Sequence, residues 1–421
     1  MAPPPRPIDD LARPRLPAIL RVLNSAAGPF ARRLARLDEE GLLEAARRAT
    51  GLDDFGDDSF REPLRVLLAS LEREAELSAL GRLSTRRLLV QLLANRLRVE
   101  DLIRRHPEIL DERVERPIVI AGLPRTGTTH LLNCLARHPD LRTLPYWESL
   151  EPVLPEAQRP GPGEPDPRLR RCARALAFLE RVLPLFPAMH ELSVEGPHEE
   201  IQLLAMHFST QLFEASYRVP AYAEWYRTTD QTQAYAYLRR VLQALQWLRG
   251  PRRWALKSPQ HLENLGALAA TFPDARFIQT HRDPVRVAAS LGSMIAYAQR
   301  MQMRADAVDP VATGRHWARR LEQMLRASVE GRRHLPADQV LDVRFHAFMK
   351  DPWATLERVF AFAGQPLSGR AAAAIRAHLE ESPRGKHGAI LYRLEDLGLD
   401  ERELREKLRF YQERFDVPSE E

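Results

Sequence analysis

With 421 residues, 44% of them apolar and 28% charged, the chain can bury a sizeable core, most simply in two lobes. Its net charge of +5 suits an anionic ligand, but no aromatic–basic interleaving or zinc-finger spacing points to a nucleic-acid partner. Two cysteines, Cys134 and Cys172, exclude a disulfide framework and a cysteine-built metal site, and no run of about 18 apolar residues is there to span a membrane.

Residues 1–16 are Pro-rich and read as a flexible tail. They lack an apolar leader core, which predicts a cytoplasmic protein and leaves contact with a membrane surface open. Residues 17–112 carry apolar residues at helical spacing, as in Leu64-Arg-Val-Leu-Leu-Ala-Ser-Leu71, and predict an N-terminal helical lobe. Its charged residues read as solvated faces, and nothing in it looks catalytic.

From residue 113 the pattern changes. Pro117-Ile-Val-Ile-Ala121 predicts a buried strand, Gly122-Leu-Pro-Arg125-Thr-Gly127-Thr-Thr129 a tight loop, and the leucines that follow a helix. Strand, loop and helix in that order make an anion cradle, because the loop and first-turn N–H groups converge and the helix dipole adds positive potential. The spacing is that of G-x-x-x-x-G-K-[ST], with Thr128 where that pattern has lysine. The missing lysine argues against nucleoside triphosphate hydrolysis. Arg125 offers instead a planar fork for a phosphate or sulfate.

Residues 153–168 predict an exposed loop and 169–250 mostly helix, together a helical insertion. Its aromatics, among them Phe208, Phe213, Tyr217, Tyr222, Trp225 and Tyr226, suit either an acceptor pocket or an ordinary helical core. Further strands are expected at 253–257, 275–281 and 339–345. Asp283 reads as an N-cap with Pro284 at the first helical position, and 352–363 as a late helix. Alternating strands and helices predict an α/β fold: a P-loop-type parallel sheet flanked by helices, occupying 113–421. Ligands on such sheets bind beyond the carboxyl ends of the strands, where Arg125, Lys257 and Arg282 fall.

Three segments together resemble sulfotransferases. Leu123-Pro-Arg-Thr-Gly-Thr-Thr129 is similar to their 5′-phosphosulfate loop. Arg282-Asp-Pro, with Ser290 eight residues after the arginine, is similar to their 3′-phosphate motif. Ser382-Pro-Arg384-Gly385-Lys386-His-Gly388 resembles their late basic glycine loop. The likeness runs over about residues 115–395 and is nearest to the broad bacterial sulfotransferase family, related to the tyrosylprotein sulfotransferases.

The resemblance implies a donor, 3′-phosphoadenosine 5′-phosphosulfate (PAPS), a product, 3′-phosphoadenosine 5′-phosphate (PAP), and no metal. It implies that Arg125, Thr126, Gly127, Thr128 and Thr129 hold the phosphosulfate. Arg282 and Ser290, helped by Arg384, Gly385 and Lys386, would hold the 3′-phosphate. Lys257 matches the family's strand-end lysine, which stabilises the leaving phosphate. The general base stays open between Glu148, His261, and His198 or Glu199. His261 is out of register with the histidine many cytosolic relatives place two residues after the lysine, where this chain has Pro259. Phe345-His346-Ala347 departs from the aromatic-then-acidic turn often found there.

The expectation is sulfuryl transfer to a hydroxyl or amine of a small-molecule, lipid or glycolipid acceptor. The alternatives are a P-loop nucleotide or small-molecule kinase and an inactive nucleotide-binding scaffold. Oligomeric state is not legible. All of this requires the two anion sites to lie within reach of one nucleotide.

Overall fold

The computed structural model describes residues 5–381 and 389–420. Seven short strands occur among them: β1 (Ile118–Gly122), β2 (Leu141–Arg142), β3 (Leu144–Pro145), β4 (Pro197–His198), β5 (Arg253–Lys257), β6 (Arg276–His281) and β7 (Val340–Arg344). Five of them form one parallel sheet in the order β2-β5-β1-β6-β7. The other two, β3 and β4, make a small antiparallel ribbon.

Every residue of β1 is buried, as expected of a central strand with helices on both faces. Successive side chains point to opposite faces and sort the core in two. Val119 and Ala121, with Leu256 and Phe277, face a large cluster built from helices Glu39–Thr50, Arg61–Glu74, Ala79–Arg105 and Thr232–Arg249. Ile118, Ile120, Ala255, Ile278 and Val343 face helices Thr128–Leu135 and Pro352–Ala363. The first cluster runs without a break through residue 112. The N-terminal helices are therefore a layer of the same core.

The insertion's aromatics belong to that layer as well. Phe208, Phe213, Tyr217, Tyr222 and Tyr226 are all buried within the cluster. The rings of Phe208 and Phe213 stack at 6.1 Å, and the Tyr222 hydroxyl donates to the Phe208 carbonyl at 2.7 Å. They read as core and leave the acceptor class open. No helix among the described residues is long and apolar enough to cross a membrane.

Register keeps the strand ends level: Gly122 stands beside Thr280, Ile120 beside Lys257, and His281 beside Arg344. Asp283 caps helix Pro284–Gln299 by accepting from the Val285 N–H. That helix packs with Pro310–Gly331 and Glu401–Phe415 through Leu291, Leu321 and Leu408, which brings residues 417–420 back to the end of β6.

The Pro-rich start departs from expectation. The Arg6 N–H donates to the Ala389 carbonyl and the Leu391 N–H to that of Arg6. Ile8 and Leu11 are buried beside Tyr297 and Met189. Asp10 accepts from buried Arg300 at 2.6 Å. Composition reveals no partner 290 positions away, and that partner is what fixes residues 5–16.

Asp10→Ala is expected to cost about 3 kcal/mol in denaturant unfolding, because it leaves a buried guanidinium without its counter-charge. Asp9→Ala, which breaks only an exposed pair with Arg15, should cost less than about 1 kcal/mol. Equal, negligible effects would mean that the segment is loose after all.

Candidate active site

The loop after β1 is shaped by close approach. A Cβ on Gly122 would fall 2.0 Å from the Thr280 hydroxyl, so only glycine lets the chain turn tight against β6. The Thr126 hydroxyl donates to the Leu123 carbonyl and lies 2.6 Å from that of Thr280, tying loop to strand. Arg125 (φ +71°) and Gly127 (φ +87°) both take the left-handed conformation. Gly127 then caps helix Thr128–Leu135, whose first-turn N–H groups have no partner within the helix.

The cation missing at position 128 arrives from the next strand. Lys257 ends β5, and its ammonium lies 3.3 Å from the Thr129 hydroxyl and against the Glu199 carboxylate. Its backbone N–H donates to both oxygens of Glu200, at 2.8 and 3.0 Å. Glu200 is fully buried and also holds Nε2 of His261 at 3.0 Å, while the Tyr235 hydroxyl holds Nδ1 at 2.9 Å. Both ring nitrogens of His261 are thus engaged and the side chain has no exposed surface. In this arrangement it braces Lys257 through Glu200 and cannot reach an acceptor.

Glu148, a second candidate base, is buried between Arg142 (2.9 Å) and Arg249 (3.2 Å). Two guanidinium groups neutralise it, and it is an element of packing here. The β3–β4 ribbon instead brings Glu199 to Lys257, pairing Leu144 with His198. Burial alone would raise the Glu199 pKa, but the ammonium of Lys257 and their hydrogen bond hold it below the usual carboxylate value. His198 packs edge-on against Tyr146 at 4.4 Å, and His190 lies 6.4 Å from His198. Burial depresses these imidazoles to about 3 and about 4 respectively, so both are neutral near pH 7.

Arg125 donates through Nη1 to the Met189 carbonyl, and its guanidinium faces the Tyr392 ring at 5.9 Å. Arg282 follows β6 and donates through Nη1 to the backbone carbonyl of Arg125 at 2.8 Å. The two arginines expected at opposite ends of one ligand therefore adjoin. Arg282 stacks on Phe345 at 4.1 Å, and its Nε and Nη2 grip the carboxylate of Glu420 at 2.8 and 2.7 Å. Asp283 orders that segment by accepting from the Glu420 N–H and pairing with Arg405.

Ser290 is buried, with its hydroxyl donating to Val287 of its own helix at 3.2 Å. Arg384, Gly385 and Lys386 lie outside the described residues. Among those that are described, no group of three or more His, Cys, Asp or Glu side chains could hold a metal ion.

Sequence reasoning missed four members of this neighbourhood. His190 and Tyr392 carry no local signal. Glu200 stands next to a named candidate, and only its burial separates the two. Phe345, at the departing turn, lies against both Arg282 and the backbone of Gly127, where an added Cβ would touch its ring at 3.2 Å.

The model of the sulfotransferase family matches residues 117–369. No curated protein matches the chain. Among solved structures, sulfotransferase STF1 from Mycobacterium tuberculosis H37Rv is similar at 30% identity and a TM-score of 0.77, covering 88% of this chain and 98% of its own. Sulfotransferase STF9 from Mycobacterium avium is similar at 28% identity and a TM-score of 0.79, covering 90% of this chain and 97% of its own.

The depressed histidines set the pH response. Their folded pKa values lie below that of free imidazole, so the unfolded chain binds more protons and stability falls as pH drops from 6.5 toward 4. The part contributed by Glu199 is lost only lower, as pH falls through its own depressed pKa. His198→Phe is expected to flatten the stability curve between pH 6.5 and about 4.5 by up to about 1.4 kcal/mol per pH unit, measured by urea unfolding. An unchanged slope would mean that His198 is not held neutral.

Proposed function

The chain belongs to the sulfotransferase family, and from that premise we propose that it transfers the sulfuryl group of PAPS to a hydroxyl or amine of a small-molecule or lipid acceptor. The observation that carries this reading is the bond from Arg282 to the carbonyl of Arg125. It sets the loop after β1 against the end of β6, so the two proposed anion sites would adjoin, which a donor bearing a 5′-phosphosulfate and a 3′-phosphate requires. One buried donor supports the fit, since Nε of Arg125 has no partner among the described residues.

In this reading Arg125 and the N–H groups of Gly127, Thr128 and Thr129 hold the phosphosulfate. Thr126 contributes its backbone, its hydroxyl being tied to Leu123. Arg282 holds the 3′-phosphate, with Ser290 and the 384–386 loop assigned beside it. The donor supplies a sulfuryl group with a phosphate as leaving group. Lys257 presents its charge where that phosphate departs.

Glu199 takes the proton from the acceptor as the new bond to sulfur forms and the old one to the phosphate oxygen breaks. It is the one carboxylate of the four candidate bases in contact with Lys257. Once an anion shares that ammonium, the pull on Glu199 weakens and its proton affinity rises. His261 and Glu200 act on the position of Lys257.

Calorimetric titration tests the donor site. PAP is expected to bind about a hundredfold more tightly than 5′-AMP, the worth of a charge-assisted fork on one phosphate. Glu420→Gln should tighten PAP binding by about threefold to tenfold by freeing Arg282, and leave 5′-AMP unchanged. Equal affinities would remove the 3′ site. For the chemistry, Glu199→Gln should lower kcat by about a hundredfold or more with PAP binding retained. Lys257→Ala should likewise abolish turnover first. A scaffold would have no turnover to lose, and unaltered kcat in Glu199→Gln would return the base to the other candidates.

A further inference from the structure

The helix Ala18–Ala27, the turn Gly28–Phe30 and the helix Ala31–Leu34 lie over the start of helix Ala79–Arg105. One side is fixed. The Asn24 side chain accepts from the Leu80 N–H at 2.9 Å, and Leu16 and Leu20 pack against the cluster around Tyr297. Helix Ala18–Ala27 has no buried residue at all.

Of the nine large hydrophobic side chains exposed among the described residues, five fall here: Ile19, Val22, Leu23, Phe30 and Leu34, from 44% to 67% exposed. Positions 19, 22 and 23 share one helix face, so this is a patch and not a scatter. The segment's own charge has one sign, although Glu72 and Glu76, near the end of the neighbouring helix Arg61–Glu74, line the same cavity as Arg21 and Arg32. Residues 11–37 contain six arginines, at 13, 15, 21, 32, 33 and 36, and no Asp or Glu. All six are exposed. Arg15 pairs with Asp9 and Arg36 with Asp38, whereas Arg13, Arg21, Arg32 and Arg33 have no ion pair among the described residues.

An apolar face rimmed by unpaired arginines limits what can cover it. A second copy docked about a two-fold axis would bring the two sets of arginines together, which is repulsive. An anionic lipid surface meets both halves of the pattern: the apolar side chains enter the acyl boundary and the guanidinium groups reach the phosphates. We propose that residues 18–34 form an interfacial anchor that docks the chain on an anionic lipid bilayer. The proposal goes beyond sulfuryl transfer and stands without it.

The test is co-sedimentation of the full chain with vesicles of phosphatidylcholine alone and of phosphatidylcholine carrying about a third phosphatidylglycerol. Binding is expected to the anionic vesicles only, and to weaken with salt. Ile19→Asp combined with Phe30→Asp should abolish it. Arg32→Gln with Arg33→Gln should lower the partition by about thirtyfold, at about fivefold per arginine near the surface. Leu110→Asp, an exposed apolar residue elsewhere, should leave it unchanged. All five positions are exposed, so circular dichroism and PAP binding should match the parent and certify the fold. No binding, equal binding to neutral vesicles, or binding that survives the double aspartate variant overturns the proposal. A concentration-dependent dimer that Ile19→Asp dissolves also overturns it, and assigns the face to a second copy. None of these results bears on donor affinity, so a failure here is separable from a failure of the donor reading.

Discussion

An ammonium that is almost closed to water must be met by negative charge, and Lys257 is such a group, with its side chain 4% exposed. Glu199 meets it in the free protein. Much of the surrounding structure serves that contact. Glu200, His261 and Tyr235 hold the backbone at the end of β5 in a chain of buried hydrogen bonds. Such a chain fixes a geometry only when every member is satisfied. The β3–β4 ribbon, two residues on each side, buries Leu144 in the large core and carries Glu199 across to Lys257.

The sheet order explains why one edge gathers so much charge. With β5 and β6 on either side of β1, the strand ends that carry Lys257, Gly122 and Arg282 are neighbours, although about 160 positions separate the outermost. The opening between strands whose connections diverge is where an α/β sheet binds its ligand. The insertion reaches this edge only through Met189 and residues 198–200. With the N-terminal helices it covers one face of the sheet with a single continuous core, in which Phe208, Phe213, Tyr217, Tyr222 and Tyr226 are buried.

What was legible in the sequence was local. The β-branched run, the loop glycines and the Asp283-Pro284 start of a helix each carry their signal within a few residues, and the structure has strand, turn and cap at those places. The placement of Arg125, Lys257 and Arg282 at one edge followed from strand ends alone. The rest depended on partners far along the chain. Glu148 stands in the sequence as one candidate base among several. Two arginines, one of them at position 249, make it an ion pair instead. Ile8, Leu11 and Asp10 sit in a proline-rich stretch whose composition says tail, and Arg300 and Tyr297 make it part of the body.

Two of the three cations of the candidate site share a feature that no motif contains: each holds a carboxylate from elsewhere, Glu199 on Lys257 and Glu420 on Arg282. An incoming oxyanion then replaces one ion pair with another and leaves no bare charge behind, which avoids most of the desolvation cost of burying anions beside unpaired cations. The displaced carboxylates fare differently. Glu420 is 28% exposed and can go to water at little cost. Glu199 is 14% exposed and packed among His190, His198 and Lys257, so it cannot. A carboxylate kept in place while its counter-charge is shared must gain proton affinity. In the proposed reaction the same event that seats the donor therefore readies the base, and the surface carboxylate is only released.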